Sequence, residues 1–74
     1  MELRIPQLGV TMTEGFLTEW LVADGETVDT GDPLYTLETD KTQTDVEAPA
    51  AGVVRILGAA EATYPVGTLV ARID

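Results

Sequence analysis

Apolar and polar positions alternate in short runs along the chain. Tyr35 and Leu37 alternate with Thr36 and Glu38, and Thr44 and Val46 alternate with Gln43, Asp45 and Glu47. A period of two places every second side chain on one face, which is the signature of a half-buried strand. Glycine and proline punctuate the chain at short intervals, so most of the segments between them are too short for a stable helix. The longest uninterrupted run, Leu34–Ala48, is rich in threonine and keeps the period of two, so it reads as strand as well. The pattern predicts strands at Glu2–Ile5, Gly15–Trp20, Thr27–Val28, Leu34–Glu38, Gln43–Glu47, Gly52–Ile56, Thr63–Tyr64 and Leu69–Ile73. Turns are expected at Ala23–Thr27 and Asp29–Pro33, where Gly25 and Gly31 tolerate positive φ. Phe16, Trp20, Tyr35 and Tyr64 are expected in or beside the core.

The chain also repeats itself. Gly31–Glu38 aligns with Gly67–Asp74 at an offset of 36, which sets Leu34 on Val70 and Leu37 on Ile73. Gly15–Trp20 aligns with Gly52–Leu57 at an offset of 37. One half alone could hardly bury its apolar face. Two halves packed face to face as a pseudo-symmetric sandwich or flattened barrel solve that problem and cover most open edges. The expectation is one all-β domain over residues 1–74.

Between the halves, two alternating segments flank the sequence Thr39-Asp40-Lys41-Thr42, which suggests a hairpin with Asp40 and Lys41 at its tip. Lys41 is the one lysine of a chain with thirteen acidic residues and a net charge of −9. Such a chain would repel nucleic-acid phosphate and anionic lipid, so neither nucleic acid nor membrane is expected as a partner. With no cysteine, histidine or serine, the chain lacks the usual general base, the two commonest side-chain nucleophiles and the preferred zinc ligands. An independent enzyme is therefore not expected, nor is a metal site. A catalytic lysine needs burial or a neighbouring cation to lower its pKa, whereas acids such as Glu38, Asp40 and Asp45 favour the charged form. Lys41 thus reads as a substrate, an amine on a protruding loop that another protein's active site can surround. The competing reading is a solvated tip charge that discourages sheet-to-sheet aggregation.

Those residues resemble a known family. Glu-Thr-Asp-Lys-Thr at 38–42, followed by Val-Glu-Ala-Pro-Ala-Ala-Gly at 46–52, is similar to the lipoyl-attachment domain of 2-oxo acid and acetoin dehydrogenase complexes. The resemblance covers essentially the whole chain, with Glu38 three before the lysine, Asp40 directly before it and Gly52 eleven after it. Thr42 stands where the family commonly has alanine, and Gln43–Asp45 is less typical. The resemblance implies two four-stranded antiparallel sheets related by a pseudo-twofold, with the lysine on an exposed hairpin. It implies a carrier without catalytic residues of its own. A lipoate ligase or lipoyl transferase would join lipoic acid to the Lys41 amine as an amide. The resulting swinging arm would be reductively acylated by a thiamine-dependent dehydrogenase component, would pass its acyl group to coenzyme A at an acyltransferase, and would be reoxidised by dihydrolipoamide dehydrogenase. Glu38, Asp40 and Thr42 are the expected recognition features for the modifying enzyme. Val10, Thr11 and Met12, in the segment Leu8–Gly15, are the expected ones for the thiamine-dependent partner.

Two other functions compete. A biotinyl carrier shares the fold, but that family carries Met-Lys-Met where this chain reads Asp40-Lys41-Thr42. The third reading is an unmodified β adaptor. No apolar run is long enough to span a membrane and no signal peptide is apparent, so a monomeric cytoplasmic domain is the expectation.

Overall fold

The computed structural model describes residues 1–39 and 42–74. Eight strands follow one another: β1 (Glu2–Arg4), β2 (Glu14–Trp20), β3 (Thr27–Val28), β4 (Pro33–Glu38), β5 (Gln43–Glu47), β6 (Gly52–Ile56), β7 (Ala62–Pro65) and β8 (Leu69–Ile73). Four match the expected bounds, three differ by one residue at one end, and β7 is one residue longer at each end. Among the described residues there is no helix, and so none long and apolar enough to cross a membrane.

The strands form two antiparallel sheets, in the orders β1-β8-β6-β3 and β5-β4-β2-β7. Moving every strand of the first order four places along the chain produces the second order. The internal repeat is therefore a topological pseudo-twofold, and it extends to single backbone bonds. The Gly31 N–H donates to the Ala48 carbonyl at 2.8 Å, and the Gly67 N–H donates to the Ile5 carbonyl at 3.0 Å. The return bonds, Ala48 N–H to Asp32 and Ile5 N–H to Thr68, are 2.8 and 3.0 Å. Gly31 and Gly67 take φ of +93° and +90°, a conformation only glycine enters without strain. One irregularity repeats as well: register slips past Leu34 where β4 meets β5, and past Val70 where β8 meets β1. The slip past Thr18 where β2 meets β4 has no counterpart where β6 meets β8.

The core lies between the sheets. Leu17, Leu34, Leu37, Val54 and Val70 are fully buried, joined by Ile5, Val28, Tyr35, Ala71 and Ile73. Three aligned apolar pairs from the repeat (Leu17 with Val54, Leu34 with Val70, Leu37 with Ile73) are buried in both halves. The described residues include no buried charged side chain. Tyr35 packs against Trp20 with ring centroids 4.9 Å apart, and the Trp20 indole donates to the Gly58 carbonyl at 2.8 Å, tying one sheet to the loop after β6. Phe16, Trp20 and Tyr64 are half-buried, and the polar tips of Trp20 and Tyr64 donate to the Gly58 and Ala59 carbonyls.

Candidate functional site

β4 and β5 pair in register up to Glu38 opposite Gln43. Beyond that pair, the Thr39 N–H donates to the Thr42 carbonyl at 2.8 Å, and the Thr39 hydroxyl reaches the same oxygen at 3.4 Å. The expected hairpin tip at Asp40 and Lys41, with the proposed attachment amine, lies outside the described residues. What surrounds it is well defined. Glu38 is exposed and accepts a hydrogen bond from the Gln43 amide at 3.4 Å, and Asp45 accepts one from the Thr36 hydroxyl at 3.0 Å. Glu38, Asp45 and Glu47 are all exposed, consistent with one solvated face.

The segment from Pro6 to Thr13 joins β1 to β2 and folds back toward this hairpin. A turn closes it where the Met12 N–H donates to the Gly9 carbonyl at 3.2 Å. The Gln7 amide caps the same turn by donating to the carbonyls of Gly9 and Val10. Thr11 and Met12 come to line one groove of about 1160 Å³ together with Glu38, Thr39 and Thr42. Four of the expected recognition residues, Thr11, Met12, Glu38 and Thr42, therefore share one wall system. Val10 does not join that groove. It stands at the tip of the turn with 99% of its surface exposed, beside a second, smaller depression.

Sequence reasoning missed Thr39, Thr44, Thr63 and Phe16, which also line the groove. Thr44 carried a usable signal, because the alternation set it on the side of β4–β5 opposite Asp45. Phe16 neighbours the hairpin because β2 pairs with β4, which sets it opposite Glu38, and Thr63 follows because β7 pairs with β2, opposite Phe16. Among the described residues, no cluster of three or more acidic, histidine or cysteine side chains could hold a metal. The groove offers threonine hydroxyls and apolar surface from Leu8, Met12 and Phe16, with Glu14 and Glu38 at its margin. Such a surface suits an extended, mostly aliphatic group or a partner's side chains better than it suits bond-making chemistry.

The family described as "Biotin-requiring enzyme" (biotin/lipoyl) matches residues 1–73. The chain belongs to the biotin/lipoyl family. Among its relatives in this family is the dihydrolipoyllysine-residue acetyltransferase component of the pyruvate dehydrogenase complex of Corynebacterium glutamicum, 42% identical over 97% of this chain and 11% of the relative. The acetyltransferase component of the acetoin cleaving system of Pseudomonas putida is 41% identical over 93% of this chain and 19% of that protein. The succinyltransferase component of the 2-oxoglutarate dehydrogenase complex of Staphylococcus saprophyticus is 41% identical over 95% of this chain and 17% of that protein. The chain thus spans less than a fifth of each of these relatives. Each of the three is named as an acyltransferase component acting on a dihydrolipoyllysine residue.

Proposed function

We propose that this biotin/lipoyl-family domain is a lipoyl carrier, with lipoic acid joined through an amide to Lys41. One observation carries the reading: the chain's single lysine, in the sequence Glu38-Thr39-Asp40-Lys41, belongs to a biotin/lipoyl-family chain that matches dihydrolipoyllysine-residue acyltransferase components over nearly its whole length. Once attached, the group supplies a reducible disulfide that carries an acyl group and two electrons; the protein contributes position. The neck formed by Glu38–Gln43 and Thr39–Thr42 holds the strands on either side in fixed register. Apolar wall from Leu8, Met12 and Phe16 fits the aliphatic part of such a group. Tethering raises the local concentration of the cargo at successive partner sites without any new contact.

In this reading Glu38, Asp40 and Thr42 guide a lipoate ligase or lipoyl transferase to the amine. Val10, Thr11 and Met12 present the domain to a thiamine-dependent dehydrogenase component. The acyltransferase and dihydrolipoamide dehydrogenase complete the set of partners. The carrier has no bond-making residue of its own.

Intact mass after expression with lipoate plus lipoate ligase, and separately with biotin plus biotin ligase, tests the proposal. The expected result is a lipoyl mass increment that maps to Lys41 and vanishes in Lys41→Arg. A biotin increment, or none with either competent ligase, overturns it. Replacing Glu38 and Asp40 together by Ala should slow modification, and an unchanged rate removes them from recognition.

A further inference from the structure

The groove contains a sulfur that the carrier reading does not use. The Leu8 N–H donates to Met12 Sδ at 3.2 Å, so a thioether closes the turn that Gly9 and Gln7 hold on its other side. Met12 is half-buried and packs against the core, while the neighbouring Leu8 and Val10 are exposed. Its Cε lies only 3.1 Å from the point a Cβ on Gly15 would occupy, so the side chain rests on bare backbone at the start of β2. The chain holds just two sulfur atoms, in Met1 and Met12, and no cysteine to react ahead of them.

We propose that Met12 is a reversible oxidation site for hydroperoxides, and that its sulfoxide releases the Leu8–Met12 turn from the wall of the groove. The Sδ lone pair attacks a peroxide oxygen. An S–O bond forms as the O–O bond breaks, the sulfur loses two electrons, and the peroxide leaves as water or an alcohol after proton transfer. The new oxygen makes an apolar, weakly accepting side chain polar and larger. The Met12 methyl already takes up the space over Gly15, with its Cε 3.1 Å from where a Cβ would stand. The oxidised sulfur carries partial positive charge and no longer accepts from the Leu8 N–H, and its oxygen turns outward to water, so the turn is released. A methionine sulfoxide reductase reverses the change: the oxygen leaves as water and a dithiol is oxidised to a disulfide. Any consequence for partner docking rests on the carrier reading, whereas the oxidation and the release of the turn do not.

Titrating the folded domain with hydrogen peroxide tests this, using peptide mass mapping and hydrogen exchange at single amides. Met1, 62% exposed, is the internal reference for reactivity. Met12 should gain one oxygen, and exchange at the Leu8 amide should speed by about twofold, the low end for a hydrogen bond because a thioether is a weak acceptor. Exchange at the buried Val54 amide should stay unchanged, and sulfoxide reductase should restore the Leu8 rate. Met12→Leu keeps Met1 but should exchange fast at Leu8 from the outset and ignore peroxide. The proposal is overturned if Met12 remains a thioether after Met1 is fully oxidised, if its sulfoxide leaves Leu8 exchange unchanged, or if Val54 exchange rises in parallel.

Discussion

The two sheets share a backbone plan and differ in their outward faces. On β1-β8-β6-β3, a cross-strand row runs Glu2, Arg72, Arg55, and the strands of this sheet hold every arginine of the chain. Asp74 sits between two of them, 3.3 Å from Arg55 and 3.8 Å from Arg72. The matching row on β5-β4-β2-β7 runs Asp45, Thr36, Glu19. That second sheet carries Glu14, Glu19, Glu38, Asp45 and Glu47 on its strands and no cation there. Equivalent hydrogen bonds and equivalent buried residues thus support faces of opposite sign. The fold is specified by the inward positions and the glycines, which leaves the outer faces free to differ. The acidic sheet is the one that carries the β4–β5 pair and the groove, so the field around the groove is negative.

The harshest test of the equivalence concerns Gly52 and Gly15, which the repeat aligns. A Cβ on Gly52 would stand 2.5 Å from the Asp74 backbone oxygen and from Ile73 Cγ2, whereas one on Gly15 would meet the movable side chains of Leu37 and Met12 at 2.8 and 3.1 Å. Gly52→Ala should cost roughly 2–4 kcal/mol and Gly15→Ala roughly half of that, read from urea unfolding. Equal losses would mean that the two contacts are equally yielding.

Alkaline unfolding should separate the halves next. Tyr35 occupies the position matched by Ala71, and burial pushes its pKa from 10.0 up to about 12. The folded state therefore holds the phenol proton that the unfolded chain releases from pH 10 upward. Its stabilising contribution is complete below pH 10 and is lost between pH 10 and 12, by roughly 2–3 kcal/mol. Tyr35→Phe should flatten that fall. It should not lower stability at neutral pH, because the buried hydroxyl has no hydrogen-bond partner among the described residues. A fall that persists in the variant would trace the effect elsewhere.

A smaller effect lies at two matching turns. The Gly25 N–H donates to Val54 and the Glu61 N–H donates to Leu17, both at 2.7 Å, and both residues have positive φ, 86° and 59°. Glycine accepts that conformation freely, while glutamate is strained by about 1 kcal/mol. Glu61→Gly should stabilise the domain by up to that amount, and Gly25→Ala should destabilise it similarly. Opposite signs in thermal melts support the equivalence, and equal signs break it.

The smallest effect tests the charge difference itself. Thr36→Arg would copy Arg72 into the acidic row between Asp45 and Glu19, and should stabilise by about 0.5 kcal/mol at low salt. That gain should shrink as salt screens it. A loss of stability would show that the Thr36–Asp45 hydrogen bond outweighs the new ion pairs.

Most strands were legible because they are short and set off by nearby glycine or proline, while β4 and β5 were legible from their period of two alone, so local pattern and tertiary demand agree. Gln43–Glu47 and Gly52–Ile56 needed no correction. Part of the site was legible on the same grounds, since Glu38 and Thr42 flank the only lysine. Met12 was expected as a recognition residue from resemblance, but its sulfur contact was not, because an N–H donor four residues away leaves no mark in a pattern of apolar and polar positions. Glu61 was equally silent: a glutamate at a positive-φ turn contradicts propensity and stands only because the surrounding pairing over-determines it.

The sequence by itself determined the all-β class, the bounds of most strands, the twofold repetition and the lone amine between acids, all of which are local properties of composition and period. Tertiary structure decided the strand order, because neighbours such as β2 with β7 or β1 with β8 lie far apart in sequence. It also decided which loop walls the groove, and that one sheet would gather the arginines while its twin gathered the acids. Long-range pairing is chosen by how the whole apolar surface closes on itself, and no single window of the chain contains that information.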